Sequence, residues 1–299
     1  MPEPGGTGVY YVSGKSSGFL TVYHAHSKES TDIASDDATA PAISPDGKRV
    51  MYVTLPAAQT SELWVSDIDG GNRVKIATGE WLMGGNWAPD SFHLSFSEAL
   101  GESKAYIVGA DGSGLRQLPP MGGIPCGSVW GADQKSIYVD VAGKSGMPIF
   151  TIWRWNMSGP NPEKFAERCG FVSDADPGGH YLLGVEEYGE KKAINEVSLS
   201  DRECTPLLPG VATANATFAR DGRAFLYTVA SRGEVTIYRQ PWSDGKLIGA
   251  PQVAWKIPFA FPLSHRGYAA YDISRDLSFL VYSRRRSCRP VSSEAEIKK

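Results

Sequence analysis

The chain has 299 residues, with 33 glycines, 20 prolines and 11% aromatic residues, a composition typical of many short strands joined by tight turns. This length exceeds that of most compact domains, but closed all-β repeat proteins reach it as one unit. The formal net charge of −3 predicts no basic surface for nucleic acid or for a membrane.

The hydropathy pattern predicts no membrane insertion. No run of the sequence approaches the roughly 18 consecutive apolar residues that span a bilayer. The start, MPEPGGTG, lacks the basic and apolar regions of a signal peptide, although a leader or anchor removed before this point would leave the same start. We therefore expect the chain as given to be soluble, and its sequence leaves the compartment open.

In chain order, the first predicted elements are a spare strand at residues 8–14 (GVYYVSG) and a hairpin at residues 20–34. A strand, a tight polar turn and an alternating strand then return six times, at a spacing close to one propeller blade. The six copies cover residues 41–53 (PAISPDGKRVMYV), 86–97, 129–141, 174–186, 217–229 and 271–283.

Between the copies lies a second set of predicted hairpins. The clearest are SELWVSDIDGGNRVKIA at residues 61–77 and SKAYIVGADGSGLRQLP at residues 103–119, where Asp-Gly turns join alternating apolar runs. Residues 150–167, 194–208 and 235–257 take the same place in later repeats. Each repeat therefore predicts four antiparallel strands.

The two chain ends complete each other in this pattern. The hairpin at residues 20–34 has no inner pair of strands before it, and the last copy has no outer hairpin after it. Joining them in one blade closes the ring and removes exposed sheet edges. The prediction is an all-β, six-bladed β-propeller of four-stranded antiparallel blades, with its N- and C-terminal segments in one blade.

Seven blades is the alternative, because residues 259–272 are long enough to hide irregular strands. The spare strand at residues 8–14 either displaces the strand at residues 279–283 or adds a fifth strand to the closing blade. We place a single domain at residues 8–283. Residues 284–299 are polar and charged, and we interpret them as a disordered tail.

The repeated residues suit a scaffold. Asp and Gly at the turns supply a capping carboxylate and a residue that tolerates positive φ. Large side chains that suit packing between blades recur at one position of the repeat, two residues before the position that Pro45 holds in the first copy. They are Ile43, Trp87, Trp130, Phe218 and Ile273.

The motif at residues 44–48 (SPDGK), 88–90 (APD) and 219–222 (ARDG), followed by LWVSDIDGG or YIVGADGSG, resembles the TolB-like (WD-type) β-propeller repeat. The resemblance covers residues 20–283. It implies a bacterial binding platform, often outside the cytoplasm or attached to a larger sensor, kinase or peptidase chain. From it we expect a non-catalytic, monomeric scaffold or sensor module that binds a protein or peptide, with a periplasmic or extracytoplasmic location favoured.

The least repetitive loops mark the end of the ring where a ligand is expected to bind, because loops on a rigid scaffold carry recognition. Aromatic and amide groups there suit a peptide segment or a small saccharide. The candidate ligand-binding residues at this channel mouth are Trp81, Met83, Asn86, Cys126, Phe171, Asp174, Asn215, His265 and Tyr268.

A competing hypothesis is a propeller enzyme, a metal-dependent lyase, hydrolase or lactonase that acts on a saccharide or lactone at the axial mouth. Its carboxylates would come from Asp174, Asp176 and residues 186–187. His24 and His26 alternate on a predicted strand, so they are weak candidates for a shared metal ion. Their outer position argues against that role, and we predict no catalytic residue, no metal and no cofactor.

The four cysteines are Cys126, Cys169, Cys204 and Cys288, and no two of them form a C-x-x-C pair. Free thiols are the simplest interpretation. A bridge between Cys126 and Cys169 is the alternative, because both precede the first strand of successive blades.

Overall fold

The computed structural model describes residues 18–56, 60–100, 103–143, 150–186, 192–231, 233–258, 264–265 and 268–285. Within these residues every regular element is a strand, and the strands form six radial sheets. β1 (Gly18–His24) and β2 (Ser30–Ala34) come first. Blade I follows, with β3 (Thr39–Ile43), β4 (Arg49–Thr54), β5 (Thr60–Asp67) and β6 (Val74–Glu80).

The next three blades repeat this order from the axis outward. Blade II is β7 (Leu82–Trp87), β8 (His93–Glu98), β9 (Lys104–Gly109) and β10 (Arg116–Gln117). Blade III is β11 (Ile124–Trp130), β12 (Ser136–Ala142), β13 (Phe150–Asn156) and β14 (Glu163–Glu167). Blade IV is β15 (Phe171–Ala175), β16 (Tyr181–Glu186), β17 (Ala193–Ser198) and β18 (Cys204–Pro209).

The last two blades complete the ring. Blade V is β19 (Ala216–Phe218), β20 (Ala224–Ser231), β21 (Glu234–Ser243) and β23 (Gln252–Ile257), and the short β22 (Lys246–Leu247) also pairs with β21. β24 (Ser264–His265) and β25 (Tyr268–Ala269) form a two-residue ladder in the long interval before blade VI. Blade VI consists of β26 (Tyr271–Ile273), β27 (Phe279–Arg285), β1 and β2.

Blade VI closes the ring, as predicted. β27 pairs antiparallel with β1 from Gly18↔Arg285 to His24↔Phe279. The paired strands bury Leu20, Val22 and Leu280 completely. Six blades and joint closure by both ends of the propeller are therefore confirmed, and the alternative of seven blades is wrong.

The predicted segment ends differ in detail from the structure. β27 extends through Arg285, two residues past the predicted domain end, because Arg284 is neutralised by Asp32 on β2. The Arg284 side chain donates two hydrogen bonds of 2.7 Å from Nη2 to the two carboxylate oxygens of Asp32. The predicted strand at residues 8–14 and residues 286–299 of the predicted tail lie outside the described residues.

The repeated turn explains the Asp-Gly motif. One residue of the turn between the first two strands has φ between 55° and 75° in every blade, a conformation that glycine adopts without strain. The preceding aspartate caps the turn where it is present: the Asp46 Oδ1 atom accepts a hydrogen bond from the Lys48 backbone N–H at 3.1 Å. The positive-φ residues are Gly47, Ser91, Gln134, Gly179, Gly222 and Leu277.

The hydrophobic core is divided among the spaces between blades. Each of six buried clusters draws its side chains from two consecutive blades. The predicted column of large residues lies in these clusters, and each member is at most 8% exposed. The Trp87 indole N–H also donates a 2.7 Å hydrogen bond to the Ala42 carbonyl of the neighbouring blade. The repeat therefore forms the scaffold, and its inner strands surround the axis.

Candidate functional site

A cavity of about 400 Å³ follows the axis of the ring. All six blades contribute to its wall through their innermost strands or the loops that precede them. It extends from Trp81 and Phe171, at the end where the chain enters each blade, to Pro45 and Arg275, at the end with the repeated turns. The volume lies within the range of small-molecule and peptide side-chain sites.

The rim at the loop end is aromatic. Trp81 follows β6 directly, and 42% of its surface is exposed. Its φ of 56° is a left-handed conformation that a bulky residue rarely adopts. Phe171 packs edge-on against Phe150, with ring centroids 6.4 Å apart. Strained backbone is frequent at functional sites, so positive φ together with the exposure of its indole makes Trp81 a candidate contact residue of this rim.

Below Trp81, glycine brings backbone to the cavity wall. The pairing of β7 and β8 is interrupted between Met83 and Asn86, which makes a bulge around Gly84 and Gly85. A Cβ atom at Gly85 would lie 1.5 Å from the Ser95 carbonyl oxygen, so no larger residue fits. The bulge turns Met83 and Asn86 to the cavity.

Asp174 links two inner strands deep in the wall. Its Oδ2 atom accepts hydrogen bonds of 2.8 Å from the Phe218 backbone N–H and from the Thr217 hydroxyl, both in blade V. Its Oδ1 atom accepts a hydrogen bond of 2.6 Å from the Arg275 guanidinium of blade VI. Asp174 thus joins three blades and also contributes to the cavity.

Asp272 occupies the same place in blade VI, at the seam of the ring. Its Oδ2 atom accepts a 2.7 Å hydrogen bond from the Ile43 backbone N–H of blade I. Its Oδ1 atom accepts a 3.3 Å hydrogen bond from the Asn215 amide of blade V. Burial raises the pKa of Asp272 to about 7; the backbone N–H groups and Arg275 lower it, and the charge of Asp174 raises it further.

A third carboxyl group, Asp140 on β12, lies fully buried beside the cavity. Its Oδ2 atom accepts a 2.7 Å hydrogen bond from the Val172 backbone N–H, and its Oδ1 atom has no hydrogen-bond partner among the residues that the structure describes. Burial raises the pKa of this carboxyl well above its usual range. Asp140 therefore takes up a proton more readily than an exposed carboxyl group does.

The structure brings most of the predicted mouth residues to one cavity. The ones in its wall are Trp81, Met83, Asn86, Cys126, Phe171, Asp174 and Asn215. His265 and Tyr268 are backbone partners in the β24–β25 ladder, and their side chains lie outside the described part of the chain. Sequence reasoning missed Asp140, Phe150, Ser173, Asp272 and Arg275. Asp272 had a usable signal, because it stands two residues before Ser274 in the sixth copy of the repeat, just as Asp174 stands two residues before Asp176 in the fourth.

His24 and His26 were predicted to alternate on one strand and so to point to the same face. This prediction was wrong, because only His24 lies on a strand. β1 ends at His24, whose ring packs edge-on against Phe279 at 5.3 Å, and His26 lies in the exposed turn that follows. Across the described ranges, no three His, Cys, Asp or Glu side chains are grouped to hold a metal ion.

The carboxylates of the enzyme hypothesis are also dispersed. Asp176 lies at the repeated turn of blade IV, where its Oδ2 atom accepts a 3.3 Å hydrogen bond from the His180 backbone N–H. Glu186 ends β16, and residue 187 lies outside the described residues. Asp174 alone of this set faces the cavity among the described side chains.

The cysteines are not paired as the bridge alternative predicted, and that alternative was wrong. Cys126 is a free thiol in the cavity wall. Burial, followed by the nearby charge of Asp140, raises the pKa of the Cys126 thiol to about 11. Cys169 is fully buried in the core between blades III and IV, beside Cys204. Cys288 lies outside the described residues.

Fold and cavity together define a closed six-bladed propeller with a cavity along its axis. The sequence profile of the TolB β-propeller domain matches residues 27–247. The chain belongs to this TolB β-propeller family. The finer WD-type description stays a prediction, and no curated protein matches the sequence.

Solved structures agree in fold. A protein assigned as TolB from Agrobacterium tumefaciens is 15% identical, with a TM-score of 0.65, and the match covers 92% of this chain and 100% of that one. TolB from Acinetobacter baumannii is 14% identical, with a TM-score of 0.60, and the match covers 79% of this chain and 66% of that one. This chain thus spans about two thirds of that TolB.

An enzyme shares the same fold. An oligogalacturonate lyase in complex with manganese is 12% identical, with a TM-score of 0.53, and the match covers 73% of this chain and 70% of that one. At such identities, likeness to any of these structures establishes the fold alone. In the described part of this chain, no helix is long and apolar enough to cross a membrane.

Proposed function

We propose that this propeller is a non-catalytic scaffold that binds a peptide segment of a partner protein in its axial cavity. The observation that carries the proposal is the exposed Trp81 side chain, held at positive φ on the rim of a 400 Å³ cavity. An exposed indole provides a large apolar contact area and a hydrogen-bond donor, as in many protein interfaces.

The wall of the cavity suits a peptide. Met83, Phe150 and Phe171 provide apolar contacts near the rim. Asn86 and Asn215 add amide groups to the cavity wall. A peptide presents apolar side chains together with a backbone of regular donors and acceptors, so it can match both kinds of surface.

Family membership supports the same class of role. We propose that the chain acts as a monomer, as part of or partner to a larger bacterial system, and outside the cytoplasm. These properties follow the resemblance to TolB propellers, and fold likeness by itself assigns no reaction.

A peptide-display selection tests the proposal. Random linear peptides are selected on the immobilised propeller, and the enriched sequences are measured by titration calorimetry against purified variants. Trp81→Ala is expected to weaken binding at least tenfold, because it removes the rim aromatic. Phe92→Ala is the matched control: Phe92 is 37% exposed, but it lies at the turn end of blade II, and its loss should leave affinity unchanged.

Two results would refute the proposal. The first is a selection that enriches no peptide, or only peptides whose affinity is the same for Trp81→Ala and wild type. The second is catalytic turnover. When trigalacturonate is incubated with the protein and Mn²⁺, the proposal predicts no unsaturated product. Product formation that depends on protein concentration would support the enzyme hypothesis instead.

A further inference from the structure

Two cysteines that lie 35 positions apart in the sequence meet beside blade IV. Cys169 is in the connection between β14 and β15, and Cys204 is the first residue of β18. The Cys169 thiol donates a 3.5 Å hydrogen bond to the Glu167 carbonyl oxygen, and it lies close enough to the Cys204 thiol for each to shift the pKa of the other. Both also belong to the cluster that packs between blades III and IV.

Contacts that do not involve the sulfur atoms also hold the two cysteines near each other. The Asn195 side-chain amide donates a 3.0 Å hydrogen bond to the Cys169 carbonyl oxygen, which anchors the connection against β17. Cys204 on β18 is the register partner of Val197 on β17. Val197 is fully buried in the cluster that contains Cys169, so β17 holds both cysteines on one side of the blade.

We propose that Cys169 and Cys204 form an intramolecular disulfide when the folded protein meets an oxidised low-molecular-weight thiol such as glutathione disulfide. Cys126 takes no part, because it lies in the cavity wall on a different strand, β11. The inference concerns a modification site, and it holds whether or not a peptide binds the cavity.

The two thiols have complementary roles in the exchange reaction. Cys169 is fully buried, whereas Cys204 is only partly buried and is accessible to an oxidant. The nearby Cys169 thiol lowers the pKa of Cys204, even though burial raises it. The same contact and burial hold the proton on Cys169 and raise its pKa. Cys204 is therefore the attacking sulfur.

The reaction balances in two exchanges. The Cys204 thiolate attacks one sulfur of glutathione disulfide, forms a mixed disulfide and releases one glutathione thiolate. The Cys169 sulfur then attacks the Cys204 sulfur, the S–S bond to glutathione breaks, and the second glutathione leaves. The proton of Cys169 passes to this leaving thiolate. Two protein thiols are oxidised, and one glutathione disulfide is reduced to two glutathione molecules.

The bond would brace the cavity wall. Cys169 precedes Phe171 by two residues, and β15 carries Phe171, Ser173 and Asp174 to the cavity. β18 is the outermost strand of blade IV, and its residues are exposed or only partly buried. A disulfide therefore ties the loop that starts the cavity wall to the most peripheral strand of its own blade.

Peptide mapping tests the proposal on the folded, full-length chain. The protein is equilibrated with glutathione disulfide, quenched with acid, alkylated and digested with trypsin without reduction. The expected product joins the peptides of residues 169–191 and 203–220 through one disulfide. Cys204→Ser abolishes this species, whereas the control variant Cys126→Ser leaves its yield unchanged. The melting temperature of oxidised wild type should rise by roughly 5 °C, reversibly with dithiothreitol, because the bond closes a 35-residue loop.

Three results would overturn the proposal. One is that Cys169 and Cys204 are both recovered as alkylated thiols after equilibration with glutathione disulfide. Another is that either cysteine is recovered linked to Cys126 or Cys288. The third is that oxidised Cys204→Ser shows the same rise in melting temperature as wild type.

Discussion

Asp272 at the seam of the ring predicts an unusual dependence of stability on pH. The native carboxyl has a pKa of about 7, because burial, the largest influence, outweighs its hydrogen bonds. The same group in an unfolded chain titrates near its ordinary value of 3.8. Between these values the native state binds more protons than the unfolded state, so the contribution of Asp272 to the free energy of unfolding falls as pH rises.

The magnitude follows from the width of that window. Each pH unit inside it lowers the free energy of unfolding by about 1.4 kcal/mol. From pH 5 to pH 8 the contribution of Asp272 therefore falls by roughly 2.5 kcal/mol and levels off above pH 7. Asp272→Asn removes this titration. It also gives up part of the bonding to Ile43 and Asn215, a loss of about 1 kcal/mol that does not change with pH.

Urea unfolding of wild type and Asp272→Asn at half-unit steps from pH 5 to pH 8 measures the difference. The variant should gain roughly 2.5 kcal/mol relative to wild type across the series. Asp276→Asn is the control. Burial raises the pKa of Asp276, but hydrogen bonds from Ser274 and Ser278 outweigh burial, so the net pKa lies below its ordinary value of 3.8. The stabilising contribution of Asp276 is therefore lost only below pH 3.8, outside the range measured. A constant difference between wild type and Asp272→Asn would refute the reasoning, because it would mean that Asp272 is charged throughout.

Three further variants test the scaffold and the rim. Phe218→Ala should lower the free energy of unfolding by about 3–5 kcal/mol, because Phe218 is fully buried between blades IV and V; a loss below 1 kcal/mol in urea titration would contradict that packing. Arg275→Gln should cost about 1–3 kcal/mol by leaving buried Asp174 without its charge partner, and an unchanged urea midpoint would show that the pair contributes nothing. Trp81→Gly should keep or raise the melting temperature, because glycine relieves the φ of 56°, while it weakens the selected peptides as Trp81→Ala does; a fall of several degrees would assign Trp81 to the scaffold.

The architecture was predictable because it repeats. Six copies of one pattern specify six blades, and the unmatched hairpin at residues 20–34 requires a partner from the other end of the propeller. The column from Ile43 to Ile273 was predictable for the same reason, since each member fills an equivalent space between blades. Repetition averages out the local ambiguity of any single strand.

The cavity was predictable only in part. Loop positions indicated Trp81 and Phe171. The innermost strands, by contrast, are as short as three residues, so the alternation of their polar and buried residues is too brief to show a clear period in the sequence. The bond from Asp272 to the Ile43 N–H spans 229 residues and exists only because the ring closes. Likewise, the alternation that placed His24 and His26 on one face failed because the strand ends at His24.

Photo-crosslinking in the native host tests most directly whether the axial cavity is the recognition site. A benzophenone amino acid is placed at Met83 or Phe171 in the cavity wall, and at Val253, 52% exposed on the outer strand of blade V, as the control. We predict that both cavity positions crosslink to the same segment of one partner protein and that position 253 does not. Adducts from position 253 alone, or different adducts from the two cavity positions, would contradict the account.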